Sequence, residues 1–168
     1  MRRSLAVGCL ILCGSAWSVQ DSAKQGKVQE YKLSAEEKQL IDMTNAERKK
    51  HDLPPLKINL TLCKVARDHA VNQAKQQKMD HVLDGMGPFQ RIKASGYLYE
   101  VAGENVAFRP DDLPVKAVME GWMKSPLHRK NILDKEFTEI GLGGAPDKAR
   151  TTYYYTQVFG TPKTQAKD

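Results

Sequence analysis

Cysteine is all but missing from the part of this chain that reads as folded. Of three cysteines, Cys9 and Cys13 sit in the N-terminal segment and only Cys63 lies beyond it. Any form that has lost that segment has no internal disulfide, so stability must come from a core of ordinary size rather than from staples. Cys63, in LTLCKVA, reads as a buried, inert thiol. Long apolar runs are missing too: Leu5 to Leu12 is well short of the roughly 20 residues that span a bilayer. Aromatic residues make up 7% of the chain and none interleaves with its basic clusters, which excludes the stacking surface of a nucleic-acid binder. There is no H-E-x-x-H helix and no G-x-S-x-G elbow, so neither a metalloprotease helix nor a hydrolase nucleophile is spelled out locally.

What is present begins with an export signal. MRRSLAVGCLILCGSAWS, residues 1–18, has two arginines, an apolar stretch and small residues suited to cleavage after Ala16 or Ser18. It predicts a secreted or periplasmic protein without a transmembrane segment. Leu12 stands where a lipoprotein signal carries a small residue, which argues against a lipid anchor on Cys13. Loss of Arg2 and Arg3 takes 26 basic residues to 24 against 20 acidic ones, and the net charge from +6 to +4. The remaining lysines and arginines are spread out, with small clusters at Arg48-Lys49-Lys50 and Arg129-Lys130, and read as a solvated surface. Residues 19–32 form a polar leader, 33–161 the domain and 162–168 a polar tail.

Within the domain, Leu33 followed by Ser34-Ala35-Glu36-Glu37 is a capping box, and Leu40, Ile41 and Thr44 continue a helix until Asp52-Leu53-Pro54-Pro55. A second helix starts near Asn59, with Leu62, Val65, Ala66, His69, Ala70 and Ala74 on one face. Pro88 opens a short third helix that Gly96 stops, and Asp112 is placed to cap a fourth with Val115, Val118, Met119 and Trp122 as its core stripe. EIGLGG and TTYYYTQVF then switch to the strand period, with a polar turn near Pro146 between them. Helices followed by strands predict an α+β fold in which a small antiparallel sheet packs between helices.

Glu104 poses the sharpest local question. It stands with Asn105 in VAGENVAF, otherwise small and apolar, and an unpaired carboxylate taken out of water costs several kcal/mol. Partners from elsewhere in the chain must meet it. His69 lies on an apolar stripe and reads as a core histidine bonded to a backbone carbonyl. His51 sits beside lysines in a turn, whereas His81 follows Met79-Asp80 in a polar loop of the kind that displays functional side chains. In SPLHRKNIL, Ser125 is set to be an N-cap whose hydroxyl accepts the His128 N–H, and the helix N-terminus disfavours the imidazolium of His128. Ser125 and His128 also spell a nucleophile and a base, though with no oxyanion loop around them.

Several stretches stand in an order that resembles a known family: TNAERKKHDLPPLKIN, MDH, GPFQRIKASGY, GEN, GWMKSPLHRKNIL, EIGLG and YYYTQVFG. From about Lys38 to Gly160 the chain resembles the bacterial branch of the CAP, or SCP/TAPS, domain superfamily. The resemblance implies a three-layer α-β-α sandwich and a central cleft with His81, Glu104 and His128 at three of the four positions of a His/Glu tetrad. Ser125 occupies the position of the second glutamate and joins that cleft. The implied cofactor is none, or a weakly held zinc ion on His81, His128 and Glu104. Asn105, Trp122 and Gln157 take structural roles. The expected function is an extracytoplasmic module, monomeric, binding a small apolar, glycan or peptide ligand. The alternatives are a peptidase-like hydrolase using the same residues, with water activated by His, Glu or metal, and a purely structural exported domain.

Overall fold

Ser34 starts the first helix as its sequence predicts: its hydroxyl accepts the Glu37 N–H (3.2 Å) while Glu37 Oε2 accepts the Ser34 N–H (2.7 Å). The computed structural model describes residues 31–164; the signal, nearly all of the leader and most of the tail lie outside the described residues. Five helices follow one another as α1 (Ala35–Lys50), α2 (Leu60–Gln76), α3 (Pro88–Ala94), α4 (Lys116–Lys124) and α5 (Pro126–Ile132). The strands are β1 (Lys57–Ile58), β2 (Tyr99–Pro110), β3 (Glu139–Pro146) and β4 (Thr152–Pro162), in sheet order β1-β3-β4-β2. The long pairings are antiparallel; only the two-residue β1 runs parallel to β3.

Helices cover both faces of this sheet. Leu40, Ile41, Val118, Met119, Trp122 and Ile132, from α1, α4 and α5, pack with Ile140, Leu142, Tyr155 and Phe159 on one side. Leu62, Val65, Ala66 and Ile92, from α2 and α3, pack with Val158 on the other. Because both faces are covered, every residue of β4 from Tyr154 to Gly160 is buried, in place of a half-wet alternation. Gly141 and Gly143 let α2 lie directly on β3: a Cβ at Gly143 would fall 2.0 Å from the Arg67 nitrogen, and one at Gly141 2.1 Å from the Leu62 carbonyl carbon.

Four features differ from the sequence reading. Residues 99–110, unassigned above, form a twelve-residue edge strand, whose alternation is hidden because polar partners hold Glu104 on one face and Asn105 on the other. The fourth helix begins at Lys116 with Val115 as its N-cap residue, so Asp112 does not cap it. Ser125 does occupy the N-cap position of α5 but makes no side-chain capping bond, so its hydroxyl does not accept the His128 N–H. The expected contrast is direct. Ser34→Ala should cost about 1 kcal/mol and Ser125→Ala less than about 0.5 kcal/mol in urea unfolding; equal losses would refute the assignment. Tyr31 and Lys32, assigned above to the leader, take part in the fold: the Tyr31 hydroxyl donates to Cys63 O (3.0 Å) and Arg67 Nη2 to Lys32 O (2.8 Å).

Candidate functional site

The loop that carries His81 is fixed at several points. α2 ends at Gln77 in the left-handed region (φ 52°), turning the chain back along the helix. His69, 2% exposed, then donates its Nε2–H to Asp80 O at 2.9 Å and is the core histidine that the sequence predicts. Asp84 (φ 51°) and Gly85 (φ 72°) close a turn that delivers Met86 to α3. There Arg91 Nη1 donates to Met86 O (2.7 Å) and His81 O (3.0 Å).

Glu104 lies on β2 opposite Val158, on the α2–α3 face of the sheet, with its side chain 1% exposed. Both of its oxygens are engaged: Oε2 accepts from Arg91 Nη2 (2.7 Å) and Oε1 from His81 Nδ1 (2.9 Å). This meets the cost of a buried carboxylate, with a guanidinium as the main counter-charge. Since Nδ1 donates to Glu104, the Nε2 of the half-exposed His81 is left without a hydrogen bond among the described residues. The hydrogen bond to Glu104 raises the His81 pKa above its ordinary value, with burial opposing.

His128 meets the same strand through its backbone carbonyl. Asn105 pairs with Gln157 on the α1–α5 face; its Nδ2 donates to His128 O (3.1 Å) and to Gln157 Oε1 (3.0 Å). Asn131 Nδ2 donates to Asn105 Oδ1 (2.8 Å), and Gln157 Nε2 to Thr44 Oγ1 (2.8 Å). These bonds tie α5, β2, β4 and α1 into one satisfied network. Trp122 Nε1 adds a bond to Val106 O (3.1 Å), so Asn105, Gln157 and Trp122 hold the edge strand in place. The His128 ring makes no hydrogen bond to Glu104. Burial, and then the nearby His81, lower its pKa, so burial takes the role that the sequence reading gave to the helix terminus.

A model of the cysteine-rich secretory protein family, CAP, matches residues 41–159. The chain belongs to that family. Over 112 residues it is 43% identical to the uncharacterized protein YkwD of Bacillus subtilis (strain 168), covering 66% of this chain and 43% of that one. Over 124 residues it is 35% identical to the uncharacterized membrane protein YlbC of the same strain, covering 73% of this chain and 34% of the relative. It therefore spans less than half the length of either. Among solved structures, an outer surface protein of Borrelia burgdorferi superposes with a TM-score of 0.70 at 25% identity, over 79% of this chain and 98% of its own. An extracellular SCP-domain protein of Bacillus anthracis gives 0.66 at 28%, over 77% of this chain and 44% of its own.

In this CAP domain the structure joins His81 directly to Glu104, ties the His128 backbone carbonyl to Asn105, and leaves Ser125 half-buried at the α4–α5 junction. Among the described residues no three His, Cys, Asp or Glu side chains group as a metal site. Both Glu104 oxygens are engaged, one by Arg91 and the other by His81, so a zinc ion taking Glu104 as a ligand would compete with these bonds. Arg91 is the residue that sequence reasoning missed. The signal was available: a buried carboxylate calls for a cation, and GPFQRIKASGY supplies one on a short helix. Beside Arg91 opens a groove of about 760 Å³ between α2, the Leu83–Met86 turn and α3, with Leu60, Val65, Leu83, Met86 and Ala94 as its apolar lining.

Proposed function

We propose that this CAP domain is an extracytoplasmic binding module that takes a small apolar, glycan or peptide ligand beside the His81–Glu104–Arg91 cluster. One observation carries the reading: an open, apolar-lined groove ends on Arg91, while the Glu104 carboxylate behind it already has both oxygens engaged, by Arg91 and by His81. Such a site offers shape and a few placed polar groups, as ligand pockets do. The extracellular and outer-surface descriptions of structural relatives, together with the N-terminal signal, support a place outside the cytoplasm. No metal is assigned, and added zinc would compete with Arg91 and His81 for Glu104.

A hydrolase remains the second reading, favoured by one feature. Arg91 orients Glu104, Glu104 orients His81, and Nε2 is left free to act as a general base on water. A single panel separates the two. Thermal shift and native mass spectrometry with fatty acids, glycan fragments and peptides should find a stabilising ligand, worth about 2.7 kcal/mol at a hundred times its Kd. Leu83→Arg should abolish that shift. Peptide or ester cleavage, with or without zinc, that disappears in His81→Gln would replace the binding reading with the hydrolytic one.

A further inference from the structure

The two basic clusters of the sequence meet in the fold. Arg129 Nη2 donates to His51 Nε2 (3.1 Å), and His51 Nδ1 donates to Glu47 O (2.9 Å), so the end of α1 stands against α5. Arg48 fixes that junction from within: it is 0% exposed, and its guanidinium donates to Pro54 O (2.9 Å), Ile132 O (2.9 Å) and Asp134 O (2.7 Å). Around it Lys49, Lys50, Arg129 and Lys130 are exposed. Lys50 pairs with Glu47 at 2.7 Å. Lys49, Lys124, Arg129 and Lys130 have no carboxylate partner among the described residues, and from Gly121 to Leu133 the chain carries no acid at all.

An apolar side chain stands in the middle of this basic stretch. Leu127, on the first turn of α5, is 77% exposed, more than any other large apolar residue described. It shares a helix face with Lys130, three residues on. A soluble polyanion offers that side chain no apolar phase. A bilayer with anionic headgroups offers both phosphates and an apolar boundary.

We infer that the α1–α5 surface docks on an anionic lipid bilayer, with Leu127 and Lys130 entering the interface from one face of α5 and Lys49, Lys124 and Arg129 adding positive charge around them. The attachment is peripheral, since no helix among the described residues is long and apolar enough to cross a membrane. It is independent of the ligand reading above, because none of these side chains lines the groove. The two can fail separately.

The test uses vesicles of phosphatidylcholine mixed with an equal part of phosphatidylglycerol, compared with phosphatidylcholine alone and with soluble polyphosphate. Purified protein should sediment with the mixed vesicles and much less with the neutral ones. Lys130→Gln, which disturbs no contact of the fold, should weaken the association about fivefold, and Arg129→Gln with Lys130→Gln about twenty-five-fold. Leu127→Ser should cost about tenfold. Circular dichroism checks that the variants stay folded. Equal binding to both vesicles, or an unchanged Lys130→Gln, overturns the proposal. Polyphosphate bound as tightly as the vesicles, with Leu127→Ser indifferent, overturns it in favour of an anionic polymer.

Discussion

Arg91→Met is expected to destabilise the domain by about 3 kcal/mol at pH 8, because breaking a buried ion pair leaves its partner charge uncompensated. Arg91 and Glu104 are 11% and 1% exposed at their side chains, so little water is available to replace the lost bond. The substitution also frees the carbonyls of His81 and Met86. Its pH dependence identifies the mechanism. Arg91 lowers the His81 pKa, so its removal makes His81 easier to protonate, and a protonated His81 then supplies part of the missing positive charge. The loss should therefore be smaller at pH 6 than at pH 8. A loss under about 1 kcal/mol with no pH dependence would mean that Glu104 does not need its arginine.

Gly143→Ala should do still more damage from a position outside the site. The added Cβ would stand 2.0 Å from the Arg67 nitrogen and 2.2 Å from its Cα, both backbone atoms of α2 that no side-chain rotation can move aside. The helix must lift off β3 along its length. Ordinary overpacking costs about 1–3 kcal/mol, and a clash with backbone belongs at or beyond the top of that range. Lifting α2 also displaces His69 and with it the Asp80 anchor of the His81 loop. Gly121→Ala is the control, since a Cβ there meets nothing within 4 Å. Equal stability of the two variants by urea unfolding would contradict the packing described for α2 on the sheet.

The glycines show what could be read from the sequence and what could not. EIGLGG is legible as a strand, and Gly141 and Gly143 acquire a reason only when a helix is laid over one face. The capping box of α1, the start of α2 at Asn59 and the β3–β4 hairpin follow from local chemistry and stand where the sequence puts them. β2 does not follow. Its residues alternate between Glu104, answered by Arg91 and His81, and Asn105, answered by Asn131 and Gln157, so the period is written in partners that are distant in sequence rather than in hydrophobicity. The motif order singled out His81, Glu104 and His128 as candidates, while Arg91 escaped because the cation that Glu104 needs stands on a separate short helix. Ser125 misled for the opposite reason: Ser-Pro before a helix matches a capping pattern, yet the hydroxyl makes no such bond.

Glu104 is committed to His81 and Arg91, while the His128 ring makes no hydrogen bond to it. The histidine pKa values follow from this arrangement with opposite signs. His81, raised by its carboxylate, adds stability that is complete below about pH 6.5 and is lost as pH rises through its folded value. His69 and His128, lowered by burial, act the other way, and stability falls as pH drops from about 6.5 toward their folded values. An NMR titration of the imidazole resonances, in the parent protein and in Glu104→Gln, reads the arrangement most directly. His81 is predicted to titrate above the ordinary histidine value and His128 below it, with Glu104→Gln moving His81 down. A His81 that titrates below His128, or that ignores the loss of the Glu104 charge, would contradict the site as described.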